Sequence, residues 1–229
     1  MLIDILLGGN SFGDKLLLLL VALISSAIIV FLTLPIHEFA HGLVAHWLGD
    51  NTAKNMGRLT LNPLKHLDII GSLSILIFGF GWAKPVPVNM NRFKNPKVGM
   101  AITALAGPVS NLILAFIATF FTVLIRFIIQ LGEMSFIVSF IYTVCYYIAT
   151  INVSLAVFNL IPIPPLDGSR ILNAFLSDRV YYKIMAYENY FFILILVVIN
   201  AFSGVITAVD NAFLDLFVNI WVSFFSLFI

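Results

Sequence analysis

Charge is what this chain has least of. Asp, Glu, Lys and Arg make up 10% of its 229 residues, where a soluble domain carries about 25%. So few charges cannot cover the surface of a soluble protein this size, and lipid must be the solvent for much of it. The formal net charge of +1 sets up no global field, so no nucleic-acid partner is expected. Cysteine is nearly absent as well. Cys145 stands alone, which excludes an internal disulfide and leaves the redox compartment open. Internal repeats and low-complexity tracts are missing too.

What fills the space is apolar. Hydrophobic residues make up 61% of the chain, and its mean hydropathy is +1.07. A helix needs about 20 apolar residues to cross the hydrocarbon core. Four uncharged stretches reach that length: Leu16 to Ile36, Val98 to Ile125, Met134 to Leu166, and Asn189 to Val209. A fifth, Leu216 to Ile229, is short enough to be a partial span or to lie along the interface. The first has no small-residue cleavage site and reads as a retained span rather than a secretory signal. Ile69 to Ala83 is apolar but too short to cross, and it holds Gly71, Gly79 and Gly81. That pattern suggests a re-entrant segment, permitted where protein or a wet cavity covers the backbone. The expected architecture is an all-α membrane protein. It is a polytopic bundle of about 5–6 spans with a re-entrant segment and room for a short β-hairpin, forming one domain over residues 1–229.

Orientation follows from Lys and Arg. The 49–99 connection holds Lys54, Arg58, Lys65, Lys84, Arg92, Lys94 and Lys97, and the 168–186 connection adds Arg170, Arg179 and Lys183. These are ten of the twelve basic residues, and alternation of spans puts both connections on one side. That side should be cytoplasmic, with the N-terminus outside.

The sharpest motif is His37-Glu38-Phe39-Ala40-His41. On a helix, residues four apart share a face, so both imidazoles can address one ion. Glu38 can then reach a metal-bound water as general base. Zinc lowers the pKa of such a water to about 7, and the carboxylate passes its proton to the leaving amine. Two imidazoles and a carboxylate at the end of an apolar span are expensive unless paired or metal-bound. A catalytic zinc usually takes a third protein ligand. Asp167 is the candidate, because Pro162, Pro164 and Pro165 just before it forbid a regular helix and free a side chain to point inward. By the count of spans, His37 and Asp167 both arrive at the cytoplasmic boundary. Taken alone, Asp167-Gly168 would read as a turn.

Together these residues resemble the site-2 protease family of intramembrane metalloproteases. His37, Glu38 and His41 match its first motif, and Asn159-x-x-Pro162-x-x-x-x-Asp167-Gly168 its second. Ala106-Gly107-Pro108-Val109-Ser110-Asn111 is similar to a further family segment. The resemblance implies zinc (Zn2+) held by His37, His41 and Asp167, with Glu38 as base. It also implies that Asn159 lies near the scissile carbonyl as an oxyanion or substrate donor. From its own chemistry, Asn159 could equally bond a free backbone carbonyl. The expected activity is zinc-dependent cleavage of a transmembrane protein substrate within the lipid bilayer of the cell membrane, near the cytoplasmic face. The chain leaves no room for the PDZ or CBS domain of larger members, and it is compatible with a homo-oligomer.

Trp82-Ala-Lys-Pro85-Val-Pro87-Val-Asn89 favours an extended backbone, suited to holding an unwound substrate by strand addition or to serving as a stiff connector. The competing readings are a catalytically inactive membrane scaffold, which would have no use for Glu38, and a metal transporter, which should carry polar residues along several spans. His46 and Trp47 read as interfacial, His66 as loop packing, Asn111 as structural between helices, and the tail around Trp221 as a lipid anchor.

Overall fold

The computed structural model describes residues 12–78, 81–129, 135–186 and 191–228. Nine α-helical elements organise the description. They are α1 (Phe12–Ile28), α2 (Leu34–Trp47), α3 (Thr52–Asn55), α4 (Ile69–Phe78) and α5 (Pro96–Ile129). There follow α6 (Phe136–Asn159), α7 (Asp167–Leu172), α8 (Asp178–Met185) and α9 (Phe191–Phe225).

Four helices are long and apolar enough to cross a membrane: Gly13–Trp47, Pro96–Ile129, Phe136–Asn159 and Asn200–Phe228. The first is a single rod in which a π-turn, Ile29–Thr33, joins α1 to α2. Pro35 has no N–H to give to the preceding turn. The ladder loosens just before it, and the Leu34 N–H reaches back to the Ile29 carbonyl. Such single π-turns concentrate at functional sites.

The sequence-based split between Asn189–Val209 and Leu216–Ile229 does not hold. One helix, α9, runs through Asp210 and Asp215, bending at Phe202 where φ is −113° and ψ 15°. Asp210 does not break it because its carboxylate accepts the Ser154 hydroxyl of α6 at 2.6 Å. The starting points Met134 and Asn189, as well as Gly79 and Ile229, lie outside the described residues. Small residues let the spans approach closely: Ala115 and Ala118 of α5 pack with Ala149 and Val153 of α6 and Leu214 of α9. Trp221 is no free anchor. Its indole N–H donates to the Phe116 carbonyl at 3.0 Å, and its ring lies against Phe116 and Phe120.

No strand occurs among the described residues, so the expected hairpin is absent there. The stretch 81–89 forms no regular secondary structure; the residues before prolines 85 and 87 favour extended backbone, and side chains and a loop carbonyl, not a neighbouring strand, take the donors. The Lys84 N–H goes to the His66 carbonyl at 2.8 Å, the Val86 N–H to Glu38 Oε2 at 2.7 Å, and the Asn89 N–H to Asp50 Oδ2 at 2.6 Å. Arg58 donates to the carbonyls of Lys84 and Pro85. The segment is thereby strapped across the end of α2. His66 is 1% exposed, and its Nε2–H donates to the Thr60 carbonyl at 2.8 Å, a loop-packing role. His46 pairs with Asn51, and Trp47 is exposed.

Candidate metal centre

The α2 helix delivers two imidazoles from one face, one turn apart. Their Nε2 atoms lie 3.0 Å from each other, and the rings meet edge to face. Asp167 comes from the other side of the bundle. After α6 ends at Asn159, residues 160–166 form turns rather than a helix, as three prolines require, and Asp167 opens α7. The return is tight. A Cβ on Gly168 would meet the carbonyl oxygens of Leu160 and Ile161 at 2.3 and 2.5 Å, so only glycine lets the chain fold back on the end of α6. Asp167 Oδ2 thereby stands 3.3 Å from His37 Nε2 and 3.2 Å from His41 Nε2. His37, His41 and Asp167 are 6%, 5% and 7% exposed. Burial pushes the Asp167 carboxyl up, but hydrogen bonds and charge from His37 and His41 outweigh it and hold it well below the usual carboxylate range.

These three atoms suit zinc. A tetrahedral zinc with bonds of about 2.0–2.1 Å spaces its ligand atoms roughly 3.3–3.4 Å apart, close to the observed 3.0, 3.2 and 3.3 Å. Asp167 Oδ2 is buried and meets no polar group besides the two imidazoles, as expected of an acceptor set aside for a cation. The second ring nitrogen of His41 is committed: Nδ1–H donates to the Thr103 carbonyl of α5 at 2.7 Å. That bond fixes the tautomer that turns a lone pair on Nε2 inward, the usual outer support of a metal-binding imidazole.

α5 presses on the centre from behind. A Cβ on Gly107 would lie 2.4 Å from His41 Nε2 and 2.5–2.6 Å from His37 Cε1 and Nε2, so a bare backbone there makes room for both rings. Pro108, next in sequence, withdraws one donor from the α5 ladder at the same level. Glu38, one residue on from His37, is half-buried, its carboxylate held against the strap by the Val86 N–H. Asn159 does not join the cluster by any such bond; its amide donates to the Leu155 carbonyl of its own helix at 3.0 Å. The sequence suggests no contact with the metal centre for Thr103, Gly107 or Val86. Gly107-Pro108 in an apolar helix was a signal for the second, but two backbone groups leave no trace in side-chain identity.

The comparisons agree with this chemistry. The profile of peptidase family M50 matches residues 25–199. YwhC of Bacillus subtilis is 44% identical over 173 residues, covering 74% of this chain and 77% of that protein. Rip2 of Mycolicibacterium smegmatis is 27% identical over 73% of this chain and 63% of its own length. MJ0611 of Methanocaldococcus jannaschii is 34% identical over 53% and 60%. All three carry names that assign them as zinc metalloproteases. No solved structure matches the chain at a significant level. The chain belongs to peptidase family M50, the site-2 protease family, and its cofactor is zinc.

Proposed function

We propose that this protein is an intramembrane endopeptidase in which His37, His41 and Asp167 hold zinc and Glu38 is the general base. The observation that carries this reading is the meeting of His37 Nε2, His41 Nε2 and Asp167 Oδ2 within 3.3 Å of one another. Their neighbour Glu38 is tied to the strap. When bound, zinc supplies Lewis acidity, which polarises the scissile carbonyl and acidifies the attacking water. The chain's own groups do the rest. Thr103 and Gly107 aim the imidazoles. Glu38 takes the proton of the attacking water and hands it to the leaving amine nitrogen, general acid–base work that is worth about 10²–10⁴ in rate.

The strap 81–89 seats the substrate. A transmembrane helix shields its own peptide bonds and must unwind before it can be cut, and an unwound stretch laid beside the strap lies over Glu38. Asn159 serves the same substrate if its amide leaves Leu155 on binding. The ten basic residues of the 49–99 and 168–186 connections lie at the end of the bundle that bears the metal centre, which orients it to the cytoplasm. At that end α4 dips into the membrane as a re-entrant helix, within a single domain spanning 1–229 of a multi-pass cell-membrane protein.

Glu38→Gln tests the reading in liposomes containing a transmembrane substrate. Zinc content near that of the parent, with cleavage reduced at least 10²-fold, is the expected pair of results. Retained cleavage refutes the base assignment, and an inactive parent protein with full zinc turns the reading toward a scaffold.

A further inference from the structure

One turn deeper than the metal centre lies a second polar group that the reaction has not used. At the end of the π-turn that leads into α2, Thr33 precedes His37 by four residues. On α5, Asn111 follows Gly107 by four. α2 runs toward the metal-bearing end and α5 away from it, so both residues sit about 6 Å further into the bilayer, on the faces that carry the imidazoles and Gly107. Asn152 of α6 completes the level. Its Nδ2 donates to Thr33 Oγ1 at 3.3 Å and to the Ile148 carbonyl at 2.9 Å. Asn111 is brought toward it because Ala115, one turn on, packs with Ala149 and Val153, which flank Asn152.

All three side chains are sealed: Thr33 and Asn111 are 1% exposed and Asn152 0%. Three of their polar atoms, Asn111 Nδ2, Asn111 Oδ1 and Asn152 Oδ1, have no protein partner. Lipid offers none, and an unmet group of this kind is destabilising. One donor and two acceptors left open at this level match what water accepts and gives, and buried waters typically make about three such bonds.

We infer that Thr33, Asn111 and Asn152 form an internal water-binding site behind the metal centre, which holds water for the hydrolysis. The binding site rests on the side chains alone; its use in catalysis rests on the protease reading. Every peptide bond cut consumes one water, and a substrate lying along the strap covers the open side of the centre. A water held on the bilayer side stays beside His37 under that cover.

The test takes the whole zinc-loaded protein in lipid. A crystal structure fine enough to show solvent is expected to place water within hydrogen-bonding distance of Asn111 and Asn152. Direct pairing of the two amides, with no solvent between them, overturns the proposal. In the near-isosteric Asn111→Leu variant, the midpoint of thermal unfolding is expected to fall by several degrees, since satisfied bonds are lost. A rise means the amide was unsatisfied and overturns it. The same variant is expected to keep zinc content and KM while kcat drops about tenfold; unchanged kcat refutes the catalytic use. Asn111→Ser, which keeps a hydroxyl and leaves room for solvent, is expected to recover most of kcat, which guards against simple misfolding of the leucine variant. An inactive parent protein would count against the protease reading alone, because the solvent density and the unfolding midpoint judge the water site without it.

Discussion

A single methyl group probes the metal centre from behind. Gly107→Ala would set a Cβ against both imidazoles at 2.4–2.6 Å, and the α5 backbone cannot retreat without losing the Thr103 bond to His41. Alanine is also the better helix former by about 1 kcal/mol, which offsets part of the overpacking cost of about 1–3 kcal/mol. Elemental analysis is expected to show zinc reduced several-fold while α5 stays intact; full zinc would mean the rings have somewhere to move. Asp167→Ala acts from the other side. It leaves two imidazoles and removes the only carboxylate of the cluster, so zinc should be lost to mild chelation that the parent survives.

At the scale of elements, the strap depends on one carboxylate. Asp50, 1% exposed, accepts from the Asn89 N–H and from the Thr52 N–H and hydroxyl, with Arg92 at 3.8 Å. Burial works against its charge, but these donors and Arg92 outweigh it and lower its pKa below the ordinary value. A carboxyl with a lower pKa when folded stabilises the fold fully above its unfolded value, about 3.9, and loses that contribution as pH falls through the folded one. Asp50→Asn is therefore expected to cost about 2 kcal/mol near neutrality. In thermal melts, the gap to the parent should be constant from pH 8 to 5 and close below about pH 4.

The sequence announces some of these elements and hides others. The His-Glu-x-x-His spacing is visible because helical periodicity is local, and the turns before Asp167 because proline forbids the alternative. Prolines at 85 and 87 signal extended backbone, which leaves the strap open as an edge strand or as a stiff connector. Whether such backbone pairs with a strand or with Glu38 and Asp50 depends on residues dozens of positions away, which no local pattern encodes. Asn159 was open for the same reason: its amide had two plausible partners, and the one in its own helix has it.

At the scale of the whole molecule, the last span was misdivided because Asp210 and Asp215 look like the end of a membrane segment. Charge in a sequence says nothing about a hydroxyl 56 residues earlier. The Ser154–Asp210 bond ties α9 to α6, and Asp210 Oδ1 is buried without another partner. Ser154→Ala should destabilise the bundle by about 1–3 kcal/mol, since it strands the carboxyl. Replacing both residues by apolar ones should restore most of that loss, because the unmet group is then gone. Melting the single and double variants in detergent decides it, and a double variant as weak as the single one would show that the pair does more than satisfy itself.

The π-turn at Ile29–Thr33 has a consequence for how this first span can change over evolutionary time. It holds one residue more than an ordinary helix would need to cover the same rise. Deleting a residue there would regularise the rod and swing everything on one side of it by about 100° relative to the other. Either Ser25 and Ser26 would turn out toward the acyl chains, or His37 and His41 would lose sight of Asp167. In a span where leucine, isoleucine and phenylalanine are nearly interchangeable to the surrounding lipid, the tally of residues is under tighter constraint than their spelling.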